Sequence, residues 1–136
     1  MASEILTLKG ESDGTNTSGN FPLYSDLLYH DSGVYAVPTK VLIPYGMKAK
    51  IWAKRLAAED ETLFQIYWSK DASVGSPTWE LLDSQKLASK GEISLEKRRP
   101  IVVRSLSGKE GFKVSWTQPT AKKAYVELEV EITDEE

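Results

Sequence analysis

Hydrophobic and polar residues alternate most regularly near the end of the chain, in Ala124-Tyr125-Val126-Glu127-Leu128-Glu129-Val130-Glu131-Ile132. Val126, Leu128, Val130 and Ile132 fall on one face, and Tyr125, Glu127, Glu129 and Glu131 on the other. That period of two predicts a half-buried antiparallel strand, because a helix would spread the glutamates around its circumference. Shorter alternations precede it. Residues 48–55 set Ala49, Ile51 and Ala53 inward against Lys48, Lys50, Trp52 and Lys54. Residues 62–69 place Phe64, Ile66 and Trp68 on one face, and residues 92–96 and 112–116 alternate again. Short strands are also expected at 41–44, 101–104 and beginning at 78–82, with residues 86–88 leading to a turn at Lys90-Gly91. The unbroken run Ile101-Val102-Val103 after Pro100 predicts a segment buried on both sides.

About eight strands after Lys40, divided by turn signals at short intervals, with no amphipathic helix and no fixed repeat, predict an all-β fold. The expected architecture is an antiparallel β-sandwich of jelly-roll type. If the last strand lies at a sheet edge, its regular glutamates also guard against edge-to-edge pairing.

The first third of the chain is less regular. Residues 4–9 suit a short strand, and Gly10 to Asn20 is a loop by its glycine, Ser/Thr and Asx content. From Phe21 to Pro38 the chain is aromatic, with extended segments expected around a turn at His30-Asp31-Ser32-Gly33. The expected organisation is therefore an N-terminal arm or peripheral ribbon, 1–39, attached to a sandwich domain, 40–136.

Composition narrows the chemistry. A chain of 136 residues suits one domain with a core of its own. It has no cysteine, which excludes disulfides, thiolate metal sites and a cysteine nucleophile. A net charge of −3 with dispersed lysines argues against a general nucleic-acid binder. No apolar run approaches the ~20 residues of a membrane span, and the N-terminus lacks the regions of a signal peptide. No nucleic-acid or membrane partner is expected on these grounds.

Candidate catalytic and metal sites are sparse. His30 is the single histidine, so a multi-histidine metal centre is excluded and a Ser-His-Asp triad would need His30, which reads as a turn residue. Glu127 with Glu129, or Glu80 with Glu92, could form a glycosidase pair. The glutamate row reads better as a solvated face with Lys48, Lys50, Lys54 or Lys113 as cross-strand partners. Residues 11–16 and the turn Glu59-Asp60-Glu61 carry oxygen ligands but lack the EF-hand spacing. Asn16-Thr17-Ser18 matches a glycosylation sequon, which reads as accidental in the absence of a signal-peptide pattern. Ser107-Gly108-Lys109-Glu110-Gly111 reads as a hairpin turn, not a phosphate loop. The basic cluster Lys97-Arg98-Arg99 with Arg104 reads as solvated. No enzyme activity and no cofactor are expected.

Aromatic residues out of phase with the core remain. Trp52 lies on the lysine face of its strand and Tyr67 opposes Phe64, Ile66 and Trp68. Exposed Trp and Tyr on a sheet serve sugar-binding sandwiches and protein interfaces alike.

An aromatic arm ahead of a sandwich spanning Val41 to Ile132, with no catalytic set, resembles the small jelly-roll structural proteins of viral and phage particles: minor capsid, decoration and tail-associated proteins. The resemblance is one of architecture and rests on no family motif. It implies a non-enzymatic assembly protein located in the virion, or otherwise in the cytoplasm. Its partners would be other protein chains, copies of itself included, in a homo-oligomer. Its contacts would come from an arm whose Phe21, Leu23, Tyr24, Leu27, Leu28, Tyr29 and Tyr35 need a surface on which to bury themselves. The alternative is a carbohydrate-binding module in which Trp52, Tyr67, Trp79 or Trp116 stacks on sugar rings.

Overall fold

The computed structural model describes residues 3–23, 39–43, 45–72, 76–93 and 100–134. Ten strands are formed among them: β1 (Ser3–Glu11), β2 (Ser18–Asn20), β3 (Val41–Leu42), β4 (Met47–Leu56), β5 (Thr62–Ser69), β6 (Glu80–Leu87), β7 (Glu92–Ile93), β8 (Ile101–Arg104), β9 (Gly111–Thr117) and β10 (Tyr125–Asp134). One antiparallel sheet runs β1–β10–β4–β7, with β8 also paired to β4. The other runs β2–β9–β5–β6, with β3 also paired to β9. The chain changes sheet at β1–β2, β3–β4, β4–β5, β6–β7, β8–β9 and β9–β10. The fold is an antiparallel β-sandwich of jelly-roll type. No helix among the described residues is long and apolar enough to cross a membrane.

Alternation places the core. Ala49, Ile51, Val126, Leu128 and Val130 of the first sheet face Phe64, Ile66, Phe112, Val114 and Trp116 of the second. The expected phases of β4, β5, β9 and β10 therefore hold. Burial of these apolar side chains is the main favourable term, at roughly 1.5–3 kcal/mol for each large one.

Four expectations change. The N-terminal stretch is not a peripheral ribbon as far as residue 23, so the boundary at 39/40 does not divide an arm from a body. β1 pairs with β10 along its whole length, and β2 borders β9. Phe21 and Leu23 are fully buried in the core. The Phe21 ring stacks on Phe64 at 5.9 Å with an interplanar angle of 4° and meets Trp116 at 5.0 Å. Without Phe21 the second sheet would face a void. Next, β10 sits between β1 and β4, so its glutamates guard no edge. Finally, Val102 is 39% exposed although Val103 is buried. The outer side of β8 is uncovered there, so the apolar run is buried on one side only. The 107–111 turn likewise links β8 to β9 in different sheets rather than closing a hairpin.

The inward row of β4 continues to Arg55, which is 6% exposed. Its Nη2 reaches the Asp83 carboxylate on β6 at 2.6 Å, an ion pair that bridges the two sheets. Burial lowers the Arg55 pKa, and the Asp83 charge opposes that shift. Two outcomes are expected in denaturant melts. Phe21→Ala should cost about 3–5 kcal/mol. Asp83→Asn, which leaves the Arg55 charge uncompensated, should cost roughly 3 kcal/mol.

Candidate functional site

The carboxylates considered for catalysis do not assemble into a pair. Glu80 begins β6 opposite Trp68, whereas Glu92 lies opposite Leu56 at the far end of the other sheet. Glu127 and Glu129 share the outer face of the first sheet, where Glu129 lies between Thr7 and Trp52 and the rows on either side of it carry lysines. Lys9, Glu127 and Lys54 form one cross-strand row, and Ile5, Glu131, Lys50 and Val102 another. Lys9 Nζ lies 3.7 Å from Glu127. The expected cross-strand partnership of the glutamate row with Lys50 and Lys54 is what the register provides.

The acidic loops are closed on themselves. Asp13 accepts the backbone N–H groups of Thr15 (2.8 Å) and Asn16 (2.9 Å) and the Asn16 amide (2.6 Å). These donors, the Asn16 backbone first, lower its pKa to about 2. Asp60 accepts from the Thr120 hydroxyl and the Glu61 N–H, and Glu61 pairs with Lys86 at 3.3 Å. Their oxygens are engaged in turns and in the Glu61–Lys86 pair. Among the described residues no group of three or more His, Asp or Glu could hold a metal ion. His30 and residues 97–99 lie outside the described residues.

The four aromatic candidates separate into three places. Trp116 is 3% exposed and unable to stack on a ligand. Its indole N–H donates to the Asn16 carbonyl at 3.3 Å, and a Cβ at Gly19 would stand 2.7 Å from its ring. Only glycine lets β2 lie over it. Trp52 is half-buried on the outer face of the first sheet, opposite Glu129. Tyr67 and Trp79 meet on the outer face of the second sheet around Lys113. The Lys113 ammonium sits 4.6 Å from the Trp79 ring centroid and 5.4 Å from that of Tyr67. This is a cation–π clamp, and desolvation there lowers the Lys113 pKa.

Of the expected partner-binding residues, Phe21 and Leu23 are consumed by the chain's own core, Phe21 with its ring beside Phe64 and Trp116. Tyr24, Leu27, Leu28, Tyr29 and Tyr35 lie outside the described residues. The roots of their segment are well placed. β2 and β3 both run antiparallel to β9 along the same edge, β2 against residues 115–117 and β3 against 111–112. The Phe21 N–H donates to the Val114 carbonyl at 2.8 Å, and the Ile43 N–H to the Glu110 carbonyl at 2.9 Å. The two strands are halves of one edge strand, interrupted between Phe21 and Val41. Those residues face positions 114 and 112 of β9, about 7 Å apart along the strand.

A site the sequence did not signal lies at the end of the sandwich where β8 crosses to β9. The Glu110 carboxylate is buried and gathers the N–H groups of Leu106 (2.9 Å), Ser107 (3.2 Å) and Lys109 (3.1 Å). It also accepts the hydroxyls of Ser105 (3.1 Å) and Ser107 (2.8 Å). Burial by itself would raise its pKa, but these donors outweigh it and bring the pKa down from 4.5 to about 2. Gly108, at φ 80°, supplies the left-handed residue that the loop requires. The only hint in the sequence was Ser-x-Ser-Gly-x-Glu, in which hydroxyls flank an acid at turn spacing.

Because the folded carboxyl is the stronger acid, its contribution is complete above pH about 4.5 and lost as pH falls toward about 2. Glu110→Gln, which offers one acceptor oxygen in place of two, should lose about 1–3 kcal/mol at neutral pH. Its stability should also lack part of the acid slope of the parent, as measured by urea melts across that pH range.

No protein-family model matches the chain, and no curated protein matches its sequence. Solved structures do. The crystal structure of murine APRIL superposes with a TM-score of 0.55 at 11% identity, covering 94% of this chain and 98% of that one. Eiger, a TNF from S. frugiperda, covers 100% of this chain and 96% of its own at 10% identity, with a TM-score of 0.43. At such identities the likeness to APRIL bears on the fold and not on a virion role: this chain folds as a jelly-roll β-sandwich.

Proposed function

We propose that this protein is a non-enzymatic assembly protein that acts through contacts with other protein chains, its own copies among them. The observation that carries the reading is the interrupted edge strand. A segment that leaves an edge at Phe21 and returns beside it at Val41 is an insertion into a finished sandwich. Residues 24–38 of that insertion hold Tyr24, Leu27, Leu28, Tyr29 and Tyr35, side chains of the kind that anchor interfaces. The core is already filled by Phe21 and Leu23. A neighbouring chain offers the other surface on which such residues lose water.

The outer face of the first sheet supports the same reading. Ile5 is 59% exposed and Val102 39%, flanking the Glu131–Lys50 pair in a single row. A shallow cleft of ≈ 230 Å³ near the Leu56 end of that face is lined by Leu56 and Tyr125 among Lys9, Lys54 and Glu127. Apolar centres ringed by both charge signs suit a protein partner. Membership of a viral or phage particle, as capsid, decoration or tail component, is the finer form of this proposal. The second reading, carbohydrate binding, is favoured by the meeting of Tyr67 and Trp79 on one sheet face. It competes with the Lys113 ammonium that already occupies those rings.

Replacing residues 24–38 by a short Gly/Ser linker tests the main reading, because it keeps both halves of the edge strand and Phe21. The variant should retain a cooperative melt yet drop from oligomer to monomer in size-exclusion chromatography with light scattering. A wild-type chain that is itself monomeric and recovers no protein partner would sink the proposal. Glycan-array binding abolished by Trp79→Ala would favour the second reading instead.

A further inference from the structure

We propose that the outer face of the second sheet binds a linear acidic oligosaccharide, with the Lys113 ammonium as the seat of a sugar carboxylate. This ligand class rests on the carbohydrate reading of the same face and lies outside the assembly role. The register lays one row straight across four strands. Asn20 of β2 stands opposite Ser115 of β9, Ser115 opposite Gln65 of β5, and Gln65 opposite Ser84 of β6. Their phase is outward, since the alternate positions Phe64, Ile66, Val114 and Trp116 are buried. Lys113, Tyr67 and Leu81 run along one flank of the row.

The row holds two amides and two hydroxyls and no charge. Each of these groups both donates and accepts hydrogen bonds, as sugar hydroxyls do. Adjacent strands are about 4.8 Å apart, so the row is a track about 14 Å long. Part of it is ordered in advance. The Tyr67 hydroxyl donates to Gln65 Oε1 at 2.9 Å, and Gln65 Nε2 reaches toward Ser84 Oγ at 3.5 Å. The outer face of the first sheet is built differently, with Lys9, Lys50, Lys54, Glu127, Glu129 and Glu131 on its central strands.

The charge of Lys113 is fixed in place but not answered. Trp79 and Tyr67 hold its ammonium over their rings at 4.6 and 5.4 Å, which positions the charge without neutralising it. Among the described residues no carboxylate pairs with it. The acids of the neighbouring strands and loops are turned elsewhere. Asp83 reaches inward to Arg55, Glu61 pairs with Lys86, and Asp71 accepts the Ser69 hydroxyl and the Thr78 N–H. Glu80 lies opposite Trp68, in the phase opposite to Tyr67. Desolvation disfavours the charged form of Lys113, and an arriving carboxylate would offset that cost.

This chemistry selects among ligands. A protein interface centres on apolar and aromatic anchors and is depleted in serine, whereas the centre here is serine and amide. Nucleic acid demands a concentration of cations. This face offers Lys113 and, across the track, a Lys86 held by Glu61 at 3.3 Å. A neutral sugar would have to displace the ammonium in order to stack on the rings. A sugar chain with a carboxylate uses both parts, hydroxyls on the track and the acid on Lys113.

The test is binding of the full chain to an array of galacturonate, glucuronate and mannuronate oligomers, each beside its methyl ester. The ester keeps the ring hydroxyls and removes the charge. The wild type should bind at least one acid series about tenfold more tightly than its ester, and that margin should shrink in high salt. Lys113→Gln should bring the acid down to the level of the ester, and Lys113→Arg should keep the preference. Gln65→Ala should weaken acid and ester alike, by roughly threefold to tenfold. Lys122→Gln, in the loop before β10, should change neither. None of these side chains is fully buried, so thermal melts should stay near the parent. Equal binding of acids and esters, or an acid preference retained by Lys113→Gln, would overturn the proposal and leave the carbohydrate reading standing. Binding of neither form in any series would end both, while the assembly reading is decided separately by oligomeric mass.

Discussion

β10 is hydrogen-bonded on both sides, to β1 and to β4, along nearly its whole length, and the rest of the molecule depends on that placement. Its inward row closes the core against the second sheet. Of its outward glutamates, Glu127 falls between Lys9 and Lys54 and Glu131 beside Lys50, so the same register that buries Val126, Leu128 and Val130 offsets charge on the outer face. A slip of one residue would reverse both rows at once. The strand that ends the chain therefore holds the strand that begins it. Ser12 reinforces the join: its hydroxyl accepts the Ala124 N–H at 2.7 Å and donates to the Lys122 carbonyl at 2.8 Å.

β1 and β2 are built into the two sheets, and residues up to Leu23 complete the sandwich. The jelly-roll crossings bring residues 45–46, 70–72 and 105–110 to one end and the acidic turns near Asp13 and Asp60 to the other. The two ends differ in what they do with their carboxylates. At one end Glu110 is buried to brace a loop that carries an exposed leucine. At the other, Asp13 and Asp60 cap turns at the surface.

Legibility in the sequence followed the kind of interaction. Strands with strict alternation were readable, because a period of two follows from backbone geometry alone, and so was the Lys/Glu partnership across them. Phe21 and Leu23 were recognisable as side chains in need of burial, but the rings that pack on Phe21 are 43 and 95 positions away in the chain, at Phe64 and Trp116. Trp116 shared the phase of Phe112 and Val114 and could have been assigned to the core on that ground. Arg55 likewise shared the phase of Ala49, Ile51 and Ala53, yet an arginine in an inward row is interpretable only once Asp83 is seen across the gap between sheets.

What the sequence determined by itself was local: the strand periods, the turns, the absence of thiol and multi-histidine chemistry, and with them the all-β class. Those features depend on neighbours within a few residues, where chain geometry leaves little choice. The tertiary structure alone decided that the last strand is central, that the first strand is part of the body, and that an insertion splits one edge in two. It also decided that Glu110 turns inward while Leu106 turns out. These outcomes depend on which distant strands pair and on the space left between two sheets, quantities set by the packing of the whole chain and carried by no single stretch of it.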